Sequence, residues 1–195
     1  MSNKIKISTA IAAAMIIAAA LSRLLPHPYN FTPIGAIGLF GAAHFSRRYL
    51  SYLIPFAALW LSDLLLNNLV YARMYPEFYG EGFVWFSAAS LWVYLGFALI
   101  ILLGSALLQQ VKISNLLTSS LLASLIFFLV TNFGVWFASP LAPKTVAGLL
   151  AAYTAGIPFF WNTLAGDLFY VAVLFGAFEW AQRRLPALQA RKAAA

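Results

Sequence analysis

Six apolar runs, at residues 7–25, 34–46, 49–69, 83–108, 116–137 and 158–181, account for most of this 195-residue chain. A helix needs about 20 apolar residues to cross the hydrocarbon core of a bilayer, and most of these runs reach that length. Polar surface is too scarce for a soluble alternative: 9% of residues are charged, against about 25% in an ordinary soluble domain. The sequence therefore predicts an all-α integral membrane protein, one transmembrane domain over residues 1–195 folded as a six-transmembrane-helix bundle. A soluble enzyme and a disordered chain are excluded.

The breaks between runs follow the prolines. Pro26, Pro28 and Pro33 fall within eight residues, and proline lacks an N–H and restricts its predecessor, so this stretch reads as an irregular loop. The Gly-rich run after it reaches only about 18 Å as a helix, so it is short, tilted or extended by part of that loop. Pro140 and Pro143 end the fifth run, and residues 145–156 read as a short interfacial helix. The last span is expected to start at Pro158, since proline is tolerated at a helix N-terminus. Ala18-Ala19-Ala20 offers a conceivable processing site, but a retained first span keeps the helix number even and the charge balance intact.

With the N-terminus in the cytoplasm, the inner ends hold Lys4, Lys6, Arg47, Arg48, Lys112, Arg183, Arg184, Arg191 and Lys192, and the outer ends hold Arg23, Arg73 and Lys144. Basic residues favour the cytoplasmic side, so both termini are expected there. The net charge of +7 then reports topology, and no nucleic-acid partner is implied.

An ionisable group inside a span costs at least about 2.5 kcal/mol and usually faces a cavity or a partner. Asp63 and Asp167 are such groups. In this topology they share the outer half, or its neighbourhood, with Asn67, Asn68, Asn132, Trp136, Asn162 and Tyr170. The longest connections, around Asn30, Glu77 and Pro143, lie on the same side. Each residue taken alone also fits a role as a bond between helices. Their shared depth favours a polar cup that opens outward beneath loops.

Other chemistry is missing. No GxxxxGK[ST] stretch is present to cradle a nucleotide phosphate, and the absence of cysteine removes thiolate metal sites and thiol nucleophiles. His27 and His44 flank the second run, roughly 20 Å or more apart, too far to share a metal. His27 lies in the roof loop, where it can meet a ligand; His44 reads as an interface residue. Leu164-Ala165-Gly166-Asp167 lacks the GxGD pattern of intramembrane aspartyl proteases, so the two aspartates are not read as a catalytic pair and no enzyme is predicted. Ile54-Pro55-Phe56 and Ile157-Pro158-Phe159 hint at duplication, but their spacings to the next Asp-Leu differ, and chance explains them. Ala10, Ala14 and Ala18 form a smooth ridge of the kind that lets helices approach closely.

Several stretches together resemble one family: Arg23-Leu24-Leu25-Pro26-His27-Pro28-Tyr29-Asn30-Phe31-Thr32-Pro33-Ile34, then Leu39-Phe40-Gly41, Leu61-Ser62-Asp63, Thr131-Asn132-Phe133 with Trp136, and Ile157-Pro158-Phe159-Phe160 with Asn162, Gly166-Asp167 and Leu174-Phe175-Gly176. The chain resembles small bacterial membrane proteins similar to the substrate-binding S components of energy-coupling-factor (ECF) vitamin transporters, in particular the BtuM-like cobalamin transporters. The resemblance implies six helices in the bacterial cytoplasmic (inner) membrane, a vitamin captured from outside under loops, and a first helix whose alanine ridge docks a transmembrane T subunit. It also implies ATPases on separate subunits, or movement of cobalamin without them. Relatives that bind cobalamin can ligate cobalt through a cysteine, which this chain lacks.

The expected function is thus vitamin uptake, with cobalamin or a related corrinoid as the transported ligand and no intrinsic cofactor. The expected binding residues are His27, Asn30, Phe31, Thr32, Asp63, Asn67, Asn132, Trp136, Asn162 and Asp167, with Ala10, Ala14 and Ala18 for partner docking. A non-transporting assembly subunit of a larger membrane complex is the alternative. A membrane enzyme acting on a lipid is weaker, because no nucleophile–base pair is visible.

Overall fold

The computed structural model describes residues 3–79 and 82–185, with side chains from residue 7 onward. The side chains of Lys4 and Lys6, and residues Arg191 and Lys192, all part of the charge count, lie outside that description. The described chain is all-helical: α1 (Asn3–Leu21), α2 (Ile34–His44), α3 (Arg48–Leu65), α4 (Ser90–Leu107), α5 (Ile113–Ala138) and α6 (Val146–Arg184). A π-helical turn, Leu66–Tyr71, carries α3 onward to Met74. Among the described residues, five helices are long and apolar enough to cross a membrane, and α2 is the short exception.

Contacts between neighbours run α1–α3, α3–α4, α4–α5, α5–α6 and α6–α1, so the five long helices close a ring, and α2 touches every one of them. Composition explains its position. Ile34 through Gly41 are all buried, and a helix apolar on every side belongs in a core. Its glycines admit close neighbours: a Cβ on Gly38 would press Ile100, and one on Gly41 would strike the ring of Pro55. Rings stack where it ends, with Phe40 edge-on to Phe175 and Phe178 at 5.2 and 5.5 Å. Outward faces stay apolar and uncovered, as at Leu53, Leu91, Leu121 and Trp180. Such faces suit hydrocarbon.

The ring has a basic end, where Arg47, Arg48, Lys112, Arg183 and Arg184 gather, and a loop end, which carries connections 22–33 and 66–89. Eleven residues make α2 about 16 Å long, half the depth of α1. The chain leaving α1 reaches the buried start of α2 through segment 25–33, in which residues 25–30 are exposed, Phe31 and Thr32 are half-buried and Pro33 is buried.

Three expected boundaries need correction. Residues 145–156 and the span expected from Pro158 are one continuous 39-residue helix with Pro158 inside it. A proline in a helix removes one N–H and crowds the carbonyl four residues back; here packing against α5 outweighs that, through the Phe128 ring beside Tyr153 and Phe160. The fourth helix starts at Ser90, because residues 83–89 are irregular, with bends at 85–86 and a turn at 88–89, and Asn68 clamps them at Val84. The third helix continues past residue 69 to Met74, so Asp63 lies deeper below its end than expected.

Candidate functional site

At the loop end, a 3-10 turn (Ser22–Leu24) that follows α1 points Arg23 at α3. Its guanidinium pairs with Asp63 at 2.7 Å and donates to the Ser62 hydroxyl at 2.6 Å. Tyr94 of α4 donates to the other Asp63 oxygen at 3.0 Å. The two charged side chains are only 9% and 14% exposed, so the pair is closed off within the ring.

Its surroundings are short of acceptors. Arg23 Nε, Trp60 Nε1 and Asn67 Nδ2 are buried N–H donors with no hydrogen-bond partner among the described residues. Trp60, Asp63 and Asn67 recur at helical spacing on one face of α3, and Asn67 lies in the π-helical turn, a deformation frequent at functional sites. Asn67 is 4% exposed. Buried polar groups are normally paired. Three unmatched donors around one ion pair are the departure that marks this site.

Tyrosines roof it. Tyr71 packs beside Tyr75 and Tyr79 at 6.2 and 5.4 Å. Burial, then the nearby Tyr71 and Asp63, raises the Tyr79 hydroxyl above its ordinary range, and a hydrogen bond with Tyr29 raises Tyr75. Both stay uncharged near neutral pH. Asn68 clamps the rest of the roof, donating to the Leu64 and Val84 carbonyls and accepting from the Val84 N–H at 2.8–3.0 Å. Trp85, on that clamped segment, lies parallel to Trp60 at 6.4 Å.

Segment 25–33 is held by one face of α6. The Asn162 amide donates to the Tyr29 carbonyl at 2.9 Å, and Tyr170 shares a hydrogen bond with Ser22. Gly166 lets the Thr32 backbone lie directly on the helix, and Phe31 packs on Phe169 and Tyr170. Asn30 has φ +62°, a left-handed conformation that asparagine tolerates. It forms the corner of a turn closed by the Phe31 N–H on the Pro28 carbonyl at 3.0 Å. His27 is exposed, its ring nitrogens 2.9 and 3.2 Å from the Pro28 and Arg23 carbonyls.

Asp167 lies below this segment and is 1% exposed. Ser124 donates to it at 2.7 Å, and its carboxylate faces the amides of Gly35 and Ala36 in the first turn of α2. Its Oδ1 has no hydrogen-bond partner among the described residues, so it meets the start of α2 by proximity to the helix N-terminus rather than by a formed hydrogen bond.

The structure thus gathers Asn30, Phe31, Thr32, Asn162 and Asp167 along segment 25–33 and the start of α2, and Asp63 with Asn67 at the ion pair. Asn132 and Trp136 are engaged elsewhere. Asn132 sits against Gly156 on the α5–α6 contact and donates to the Phe128 carbonyl. Trp136 donates to the Pro143 carbonyl at 2.8 Å with the Lys144 ammonium over its ring. Ala10, Ala14 and Ala18 are exposed on the far side of α1 from the ring interior. Sequence reasoning missed Arg23, Trp60, Tyr94 and Ser124 as partners. Arg23 carried the one available signal, a lone cation ending an apolar run at a depth Asp63 can reach.

An open cleft of about 570 Å³ lies at the basic end, lined in part by Ser46, Arg48, Ser51, Ser105 and Gln109. Among the described residues no group of three or more His, Asp or Glu could hold a metal ion. No curated protein and no solved structure matches the chain. Residues 3–188 match a family of unknown function, DUF6580, and the chain belongs to that family.

Proposed function

We propose that this protein is a vitamin-uptake membrane protein resembling an S component, taking cobalamin or a related corrinoid from outside and moving it inward. In this reading the chain crosses the bacterial cytoplasmic membrane six times, with the short α2 and the segment leading into it counted as one crossing. Both termini are cytoplasmic and the loop end faces outward. The basic residues at the opposite end agree with that orientation. The observation that carries the proposal is the group of unmatched buried donors at Arg23, Trp60 and Asn67 beneath a tyrosine roof, since a ligand with acceptor oxygens satisfies such a group. The exposed alanine ridge of α1 suits a docked transmembrane partner.

A second reading is a non-transporting subunit of a larger complex. The engagement of both aspartates by protein favours it: Asp63 holds Arg23, and Asp167 holds Ser124.

Purified protein in lipid nanodiscs, heated with and without cyanocobalamin, cobinamide and a panel of other vitamins, separates the two. A ligand that binds the folded state raises its melting temperature in proportion to the logarithm of ligand over Kd. Stabilisation by a corrinoid is expected. No shift with any vitamin, together with stable co-purifying membrane subunits, would leave only the second reading.

A further inference from the structure

Resting on that reading of the site, we infer that the Arg23–Asn67 cluster takes an uncharged acceptor group of the solute, a carboxamide or ring carbonyl, and discriminates against the corresponding carboxylate. The first ground is charge. Arg23 and Asp63 neutralise each other at 2.7 Å with little exposure, and the tyrosines above are uncharged. Among the described residues of the roof, the charges are Arg73 and Glu77, exposed and opposite in sign. An anion entering here brings a net negative charge into a poorly solvated place. To gain Arg23 it must also draw that residue from Asp63, leaving a buried carboxylate uncompensated, which is costly.

The second ground is hydrogen-bond valence. What the cluster lacks is acceptors, at Arg23 Nε, Trp60 Nε1 and Asn67 Nδ2. A carbonyl oxygen accepts two hydrogen bonds without changing the charge. The amide hydrogens of a carboxamide can turn to Asp63, whose two oxygens accept from Arg23 and Tyr94 and, as carboxylate oxygens, can each accept a further bond. The site complements a neutral group that both accepts and donates.

The test uses full-length protein in nanodiscs and two matched pairs: cyanocobalamin against its monocarboxylic acid hydrolysis product, and nicotinamide against nicotinate. Isothermal titration at pH 7 is expected to show the amide of a pair binding at least ten-fold tighter than the acid. Equal or tighter binding of the acid overturns this inference and leaves the uptake reading standing; no binding by either pair overturns both. Asp63→Asn, which leaves Arg23 charged, is expected to shift preference toward the acid at least ten-fold. The double variant Arg23→Gln with Asp63→Asn restores neutrality and the amide preference. Asn67→Leu is expected to weaken amide binding at least ten-fold with an unchanged gel-filtration profile, and unchanged affinity counts against the assignment.

Discussion

Both carboxylate oxygens of Asp167 stand where a Cβ on Gly35 would be. The first turn of a helix leaves four N–H groups without partners inside the helix, and for α2 that turn is buried. A carboxylate from α6 supplies the missing negative end, fixed in turn by Ser124 at 2.7 Å. Charge complementarity at a helix N-terminus is worth up to about 2 kcal/mol in partly buried geometry. Here it decides where a helix can begin in the middle of the ring.

Gly35→Ala should therefore destabilise the protein by about 2–3 kcal/mol, the upper range for overpacking a tight core. A thermal melt in detergent, followed by circular dichroism, measures it. Gly176→Ala is the control, because a Cβ there meets nothing within 4 Å. That change should be neutral or stabilising by up to about 1 kcal/mol, through helix propensity alone. Equal losses at the two positions would refute the close approach.

Removal of the carboxylate should separate charge from hydrogen bonding. Asp167→Asn keeps an oxygen for Ser124 and loses only the charge opposite α2, so a loss of about 1–2 kcal/mol is expected. Asp167→Ala also leaves the Ser124 hydroxyl unpaired and should cost about 1–3 kcal/mol more. Denaturant titration in mixed micelles ranks the two; Asn as costly as Ala would contradict a charge effect on α2.

The clamp at Asn68 predicts a local effect. Asn68→Ala removes three hydrogen bonds to Leu64 and Val84, each worth about 0.5–1.5 kcal/mol. Amide hydrogen exchange should accelerate across residues 83–89 and remain unchanged in α5. Protection that persists in 83–89 would mean that Trp85 stacking alone holds the segment.

Lys144 bonds the carbonyls of Trp136, Phe137 and Ser139 at the end of α5, at 2.5–3.0 Å. A cation on the last carbonyls of a helix both satisfies and electrostatically favours them. Lys144→Met should fray the last turn and red-shift the Trp136 contribution to fluorescence, with a stability loss of about 1 kcal/mol. An unchanged spectrum in a Trp136-only background would argue against the clasp.

The apolar runs and the location of the polar residues were legible in the sequence, because lipid contact imposes a composition that no other fold class shares. Pairing was not. Arg23 and Asp63 are forty residues apart in the chain, and nothing local says that the turn after α1 will face Asp63 near the end of α3. Pro158 misled because proline at a helix start and proline inside a packed helix look identical in sequence, and only the aromatic contacts with α5 decide between them. Phe83, Trp85 and Phe86 carry the composition of a span, yet that stretch is irregular, clamped at Val84 by one asparagine sixteen residues earlier. The π-helical turn at Leu66–Tyr71 leaves no residue signature at all, so the depth of Asn67 could only be read from the structure.

Because α2 is only eleven residues long, it braces the ring from within only below Gly35, where Leu39 and Phe40 are fully enclosed. Beyond Gly35 the long helices must hold one another directly, and they do so unequally. There α5 grips α6 through Phe128 and Asn132, and α4 through Gly134 against Trp92, whereas α3 is tied to the chain end of α1 and to α4 by polar bonds at Asp63. The rings make a wall on one side of the loop end, and hydrogen bonds make a seam on the other.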